Sequence, residues 1–537
     1  MNRFFRFTGR MLEVRSSWMV ALCTFVWLSW AAWSHPLLLP DEGRYVGVAW
    51  IMLKSNELLV PLLDGLPFFH KPPLFYWITA LAVELFGPNE WAARLASVLS
   101  GTLIVTLMHW FLKTWTTPRL AAVVAVVLAA TPILFGASQY ANLDMTVAAM
   151  ISATVILLAA AVLRMEQGQP HRALLALAYV LAGLGFLSKG LIGVVLPAGV
   201  IFFWLVGRRQ FASLLRLLWL PGIALFLAVS LPWMIYMQTR FEDFFDYYIV
   251  YQHFRRFLQT GFNNAQPAWF YVPVLLGLAL PWSLQLRHLV RKAFWKQDAH
   301  SAISGLMLSW LLVILVFFSI PASKLVGYIL PALAPLAYFT ALPLARRIFP
   351  EAPEAVHAGT DARDSATREL SWHLLVSVTI CLIAVIYLAF WPQRSTRDLA
   401  VQLRGEFKPQ DTIFMVGYLR HDVPFYLNSG KPVAIVLDWR DPEILRRDTW
   451  RKEVLDAASF DPKLAEQLLI NPDQFLPRVC GDASSNLWLI GDVEVLDQYP
   501  WMKNLKPYAS WRHLQAWRIP AAQRPALCAG APASDLK

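Results

Sequence analysis

The sequence predicts a mainly α polytopic membrane protein, with about eleven transmembrane helices plus interfacial helices and a small C-terminal α/β domain outside the membrane. Three observations predict it. The 537 residues are 57% hydrophobic, only 15% are charged, and mean hydropathy is +0.46, a composition that excludes an ordinary soluble enzyme. Apolar runs near the roughly 20 residues that cross a bilayer recur along the chain. After about residue 393 the composition turns to mixed polar and apolar.

The runs lie near residues 17–39, 92–112, 119–136, 144–163, 172–188, 190–206, 214–236, 268–286, 303–319, 325–345 and 372–391. The first keeps Arg3, Arg6, Arg10 and Arg15 before it and lacks a small-residue cleavage site after it, so it reads as a retained span. Lys and Arg then fill every second connection: Lys113 and Arg119; Arg164 and Arg172; Arg208, Arg209 and Arg216; Arg287, Arg291, Lys292 and Lys296; Arg346, Arg347, Arg363 and Arg368. Positive residues flank the cytoplasmic ends of spans. The amino end is therefore expected inside, and the loops around 40–91, 137–143, 189, 237–267 and 320–325, with everything after 393, outside. The net charge of +11 fits cytoplasmic loops against anionic lipid and calls for no nucleic acid.

Leu74 to Phe86 is apolar but short and carries Glu84, which predicts a helix lying at the outer interface. Tyr247, Tyr248, Tyr251, His253, Phe254, Arg255, Arg256 and Phe257 suit a second surface helix at headgroup depth. Two domains follow, a membrane domain over 1–392 and an outer α/β domain over 393–537. In the latter, strands are expected at Thr412–Tyr418, Pro432–Asp438, Asn486–Gly491 and His513–Ile519, and helices at Thr396–Arg404 and Asp461–Ile470. Cys23 and Cys381 sit in apolar runs as small packing residues, whereas Cys480 and Cys528 lie in the outer tail, where an oxidising compartment permits a disulfide.

The charged residues of the outer loops carry the chemistry. The first loop holds Asp41, Glu42, Arg44, His70 and Lys71; later loops hold Asp144, Lys189, then His253, Arg255 and Arg256, then Lys324 with Tyr328 just inside the next span. Lys is a point charge and Arg a bidentate fork for phosphate oxygens, so such a set fits a pyrophosphate or lipid phosphate, with an acid for group transfer. Blander readings stand beside this one. Asp41 and Arg44 also suit a helix start with a local ion pair, Lys71, Lys189 and Lys324 also suit snorkelling ends, and Asp144 also suits an N-cap. Arg255 and Arg256 also suit bulk anionic lipid, and the 24 Trp suit interfacial belts.

The set Asp41-Glu42-Gly43-Arg44-Tyr45, Phe69-His70-Lys71-Pro72-Pro73-Leu74, Leu85-Phe86-Gly87, Ala92-Ala93-Arg94-Leu95, Gly185-Phe186-Leu187-Ser188-Lys189-Gly190, His253-Phe254-Arg255-Arg256-Phe257, Pro281-Trp282 and Ser323-Lys324-Leu325 with Tyr328-Ile329-Leu330-Pro331 resembles GT-C membrane glycosyltransferases of the protein O-mannosyltransferase and aminoarabinose lipid A transferase type. The resemblance covers roughly 15–345. It implies an inverting transferase of the bacterial inner membrane that takes an aminoarabinose-like sugar from a polyprenyl-phosphate donor to lipid A or a related envelope acceptor on the periplasmic side. Asp41 is then the principal carboxylate, with Asp144 a second acid. Lys71 contacts the donor phosphate, supported by Arg44, Lys189, Arg255, Arg256, Lys324 and Tyr328. Family members commonly carry Glu before the Lys-Pro pair, able to bind a divalent metal, zinc, with the histidine matching His253; here the position is His70, so the metal pair would be His70 and His253. Competing expectations are transfer of another sugar to protein or glycan by the same fold, and a lipid or solute transporter or flippase. A transporter would place charges at midspan in paired repeats; here they gather at span ends, and no repeat is visible.

Overall fold

The computed structural model describes residues 11–13, 15–255, 264–296, 300–349, 360–391, 394–481 and 485–529, and they divide into two compact units. One holds the chain up to His35 and Arg94–Phe390; the other holds Pro36–Ala93 and the chain from Trp391.

The first unit is helical because its runs are apolar on nearly every face, leaving no polar stripe for a soluble surface. Among the described residues, seven helices are long and apolar enough to cross a membrane, including Glu90–Trp115, Leu143–Glu166, Arg172–Lys189 and Leu220–Arg240, or eight with the bent pair Pro118–Ala130 and Pro132–Ser138. Proline sets the interruptions. Thr117 caps the first of that pair through a bond from Leu120 N, Pro118 follows, and the restart at Pro132 bends the path by 59°. Three of the eleven expected spans fall short of spanning length. Ser17–Ser29 stops before the Pro36 region, Ile192–Gly207 is 16 residues, and the run at 268–286 divides into Tyr271–Leu278 and a 3₁₀ turn Trp282–His288, because Pro281 has no amide hydrogen with which to continue a helix.

Leu143–Glu166 is the spine of this unit, 94% of its apolar window buried against neighbours that include Arg172–Lys189 and Ile192–Gly207. At 24 residues it runs about 36 Å. Arg94 is fully buried and donates to the carbonyls of Ala32 and His35, both at 2.8 Å, satisfying the chain end beyond the first helix.

In the second unit, six strands form one sheet, in the order β5-β4-β3-β6-β8-β7. β1 (Leu62–Leu63) and β2 (Leu66–Pro67) form a separate hairpin; the sheet comprises β3 (Thr412–Val416), β4 (Ala434–Val436), β5 (Leu469–Ile470), β6 (Leu487–Asp492), β7 (Pro507–Trp511) and β8 (Leu514–Ile519). β3 to β6 pair in parallel and β7 and β8 close the edge antiparallel. Phe414, Val436, Phe475, Leu489 and Trp517 build the core. Four strands and the helix at Thr396–Arg404 lie where the sequence predicts them; the helix expected over Asp461–Ile470 runs Pro462–Leu468 and its last two residues are β5, and β7, with four of five residues exposed, was not predicted. The Sγ atoms of Cys480 and Cys528 are bonded, and Cys381 is a buried free thiol.

The segment 36–93 joins this unit rather than forming a loop of the helical one. Trp50 Nε1 donates to Ser429 O at 2.7 Å, Leu37 N donates to Tyr426 Oη at 2.7 Å, and Val433 N donates to Asp64 Oδ1 at 2.9 Å. The helix Asp41–Ser55 and the hairpin are thus tied to the tail by these bonds. Asp64 and Gly65 form the hairpin's two-residue turn with φ of 52° and 87°, the left-handed conformation such a turn requires.

Asp64 is buried and its Oδ2 has no hydrogen-bond partner among the described residues. Burial raises its pKa well above the ordinary 3.8, against the bond from Val433 N. The folded state therefore keeps a proton that the unfolded chain has released, and stability falls as pH rises from 3.8 through the folded value. Asn tolerates the left-handed turn and still accepts from Val433 N. Asp64→Asn should raise the thermal midpoint in detergent by roughly 2–6 °C at pH 7, and the gain should vanish below pH 4. An unchanged or lowered midpoint at pH 7 would contradict the assignment.

Candidate functional site

Each unit carries one cluster of the predicted residues. In the second unit the chain leaves Pro40 and enters a helix at Asp41, which places Asp41 and Glu42 in a first turn where the helix dipole favours acids. Glu42 is fully buried and its Oε2 accepts from Leu38 N at 2.8 Å, so it ties down the chain that leads into the helix and does not face solvent. Arg44, one turn on, donates to Asp41 Oδ1 at 2.7 Å and to Glu453 on the helix Trp450–Ala458, and lies 4.9 Å from the Tyr45 ring centroid. Burial disfavours the guanidinium charge, but Glu453, Tyr45 and Asp41 outweigh it and hold the cation firmly. Asp41 keeps 40% of its side chain exposed while Arg44 keeps 14%. The result is a carboxylate open to a ligand on an anchored cation. The local ion pair anticipated for Asp41 and Arg44 is therefore present, together with a second carboxylate that the loop does not contain.

His70 is buried, stacked on Phe68 at 4.7 Å, with Nδ1 3.8 Å from Glu453 Oε1 and Nε2 3.7 Å from Asp456 Oδ2. Burial pushes the Asp456 pKa up, but the nearby His70 imidazole and the charge of Lys452 bring it below the ordinary value. The two carboxylates address opposite ring nitrogens, so they do not converge on one ion. Among the described residues no group of three or more His, Cys, Asp or Glu could hold a metal. His253, the other half of the expected metal pair, belongs to the first unit. Lys71 is half-buried at the turn before Pro72 and Pro73, which start the helix Leu74–Phe86.

In the first unit, Asp144 opens the spine helix. The cap is Asn142, whose Oδ1 accepts from Asp144 N at 2.8 Å, which releases the Asp144 carboxylate from the capping role. That carboxylate ion-pairs with Lys189 at the end of Arg172–Lys189, and the Lys189 ammonium also sits 4.1 Å from the Tyr328 ring centroid. Gly327 makes room: a Cβ there would lie 2.3 Å from Asp144 Oδ2. Gly190, with φ of 79°, ends the lysine's helix, and a Cβ there would meet His253 Nε2 at 2.0 Å. His253 belongs to the π-helical segment Asp246–Arg255, its Nδ1 2.7 Å from Tyr248 O. Four elements thus bring Asp144, Lys189, His253 and Tyr328 together.

Lys324, Arg255 and Arg256 complete the expected phosphate set. The buried Lys324 ammonium is held by backbone carbonyls, Gln266 O at 3.0 Å and Pro321 O, beside the bridge between Ala265 and Ser323; it closes that loop. Arg255 is exposed, and Arg256 lies outside the described residues.

Residues 70–236 match the family model described as dolichyl-phosphate-mannose-protein mannosyltransferase. An undecaprenyl phosphate-alpha-4-amino-4-deoxy-L-arabinose arabinosyl transferase 2 of Pseudomonas fluorescens is 32% identical over 318 residues, 59% of this chain and 54% of the relative. The corresponding transferase of Aeromonas hydrophila is 31% identical over 365 residues, 67% of this chain and 64% of the relative. The chain therefore spans about half to two thirds of the curated relatives it matches. The crystal structure of ArnT from Cupriavidus metallidurans bound to undecaprenyl phosphate aligns with a TM-score of 0.76 and 21% identity over 93% of this chain and 97% of that one. The chain shares the fold of that structure. The likeness extends through both units, so the tail and the segment 36–93 are part of the shared fold.

Three substitutions test the geometry. Gly327→Ala should drive the Asp144 carboxylate off Lys189 and lower the thermal midpoint, and Asp144→Ala in the same background should add little, because both remove one interaction; independent, additive effects would contradict the packing. Glu453→Gln removes one of the two charges on Arg44 and should cost about 1–3 kcal/mol of stability, measured by chemical unfolding of the detergent-solubilised protein, while a change under 0.5 kcal/mol would show the bridge to be idle.

Proposed function

We propose that this protein is an inverting glycosyltransferase of the bacterial inner membrane that moves an aminoarabinose-like sugar from a polyprenyl-phosphate donor to lipid A or a related envelope acceptor. The observation that carries the reading is the Lys189 ammonium, fixed between Asp144 and the Tyr328 ring at one end of an apolar helix bundle, in a chain whose fold follows throughout a structure described as bound to undecaprenyl phosphate. In this reading eleven spans cross the bilayer, the short and interrupted runs at 17–39, 190–206 and 268–286 included. The amino end is cytoplasmic, and the sites and the domain after 393 are periplasmic.

The chemistry follows from the charges. The bond from the sugar's anomeric carbon to the donor phosphate oxygen breaks, its electron pair leaves with the polyprenyl phosphate, and an acceptor oxygen bonds to the opposite face of that carbon. Positive charge grows on the sugar and negative charge on the leaving phosphate. Lys189 of the first unit stabilises the phosphate, and within the second unit Arg44 steadies Asp41. A phosphate acceptor is already anionic, so Asp41 orients it and removes no proton; toward a hydroxyl acceptor the same carboxylate is the base. Lys324 is a loop-closing residue in this scheme, given its carbonyl partners. One observation favours a second reading, transfer of a different sugar by the same fold: His70 occupies the position before Lys71-Pro72 and is engaged by Glu453 and Asp456.

Mass spectrometry of lipid A, glycans and protein from cells with and without the gene tests both. The proposal expects a pentose-sized mass increment on lipid A that disappears in the deletion, with Asp41→Ala retaining roughly a hundredth or less of it. An increment on another molecule would favour the second reading, and full product from Asp41→Ala would remove Asp41 from the chemistry.

A further inference from the structure

The second unit contains a cationic pocket that the scheme above leaves unused. β4 and β5 extend from one side of β3, and β6 lies on the other, so the carboxyl ends of β3 and β6 flank a topological switch point, where open α/β sheets seat their ligands. Arg420, just after β3, donates through one guanidinium nitrogen to both oxygens of Asp492 at the end of β6, at 3.0 and 3.2 Å, and lies 4.8 Å from the Tyr418 ring centroid. His513 Nε2 is 3.4 Å from Asp492 Oδ1. Around this pair the pocket is lined by Arg394, Ser395, Arg420, Trp511, Arg512 and His513. The lining holds three guanidinium groups and an imidazole, of which Arg420 and His513 engage Asp492 while Arg420 also acts on the buried Asp422, and guanidinium forks suit phosphate oxygens.

The pocket is joined to the start of the Asp41 helix. Arg394 O accepts from Leu39 N at 3.0 Å, two residues before Asp41. The next residues, Ser395 through Oγ and Thr396 through its amide, donate to Asp422 Oδ2 at 3.2 and 2.9 Å, and a Cβ on Gly43 would lie 3.4 Å from Asp422 Cβ. Strand ends, pocket floor and catalytic helix are therefore linked within one unit.

We infer that this pocket binds a phosphate group of the acceptor and so holds the acceptor beside Asp41. The inference rests on the transferase reading for its acceptor, and the binding it claims is measurable without turnover. Arg394 and Arg512 are exposed, and Arg512 has φ of 56°, which Asn tolerates; Arg420 stays, because Asp492 depends on it. The test uses the full-length protein in detergent carrying Arg394→Gln with Arg512→Asn. The probes are a bis-phosphorylated glucosamine disaccharide lipid, its phosphatase-treated form and inorganic phosphate, with sugar transfer to the lipid assayed in parallel. The variant should bind the phosphorylated lipid roughly tenfold or more weakly than the natural protein. Both should bind the dephosphorylated lipid alike, and in transfer the variant should raise the acceptor KM with kcat and donor KM unchanged. Equal affinity of the two proteins for the phosphorylated lipid would overturn the inference while transfer by the natural protein upheld the function. A binding difference without transfer by the natural protein would keep the phosphate pocket and remove the transferase reading. Displacement of the lipid by an equal concentration of inorganic phosphate would make the pocket a free-anion site and overturn its assignment to the acceptor.

Discussion

The ion pair between Asp144 and Lys189 is the constraint on which the membrane unit's chemistry depends. Burying two charges in a bundle of apolar helices is costly, and the cost is offset only where geometry and further partners are good. Here Asn142 takes over the cap, Gly327 gives up its side chain, and Tyr328 lays its ring beside the ammonium. Each of these accommodations keeps a fixed positive charge at the end of a helix bundle, where it is worth far more than on a wet surface.

The second unit solves the complementary problem of holding a carboxylate in place while leaving it open. Arg44 is buried between Asp41 and Glu453, and the bridge spans the two distant pieces of chain that form this unit. His70 is drawn into the same network through Glu453 and Asp456. This gives a physical reason for histidine at a position where family members commonly carry a carboxylate. Tail carboxylates already occupy the neighbourhood, so a third acid there would add repulsion, whereas a histidine gives both a partner.

Much of the fold was legible in the sequence because the forces are local or compositional. Apolar runs mark helices, short runs rich in β-branched, aromatic and aliphatic residues mark β3, β4, β6 and β8, and Cys480 with Cys528 could be paired by compartment. What was illegible depends on long separations. Nothing near Asp41 indicates Glu453, 409 residues beyond Arg44, and a lone Glu in the amphipathic helix Trp450–Ala458 reads as surface. The membership of 36–93 in the tail's unit was hidden for the same reason, although Trp50, Asp64 and Leu37 carry it through single hydrogen bonds. Within the site, Asp144 and Lys189 were legible as charges at span ends. The pairing and the glycine that permits it were not, nor were the carbonyl partners of Lys324, which are backbone atoms invisible to residue type.

The most direct measurement is the equilibrium affinity of undecaprenyl phosphate for the protein in lipid nanodiscs, compared among the natural chain, Lys189→Met and Lys324→Met at matched folded fraction. Loss of roughly tenfold or more in affinity for Lys189→Met, with Lys324→Met binding like the natural chain, is the result this account predicts. Natural affinity in Lys189→Met, or a loss confined to Lys324→Met, would contradict it.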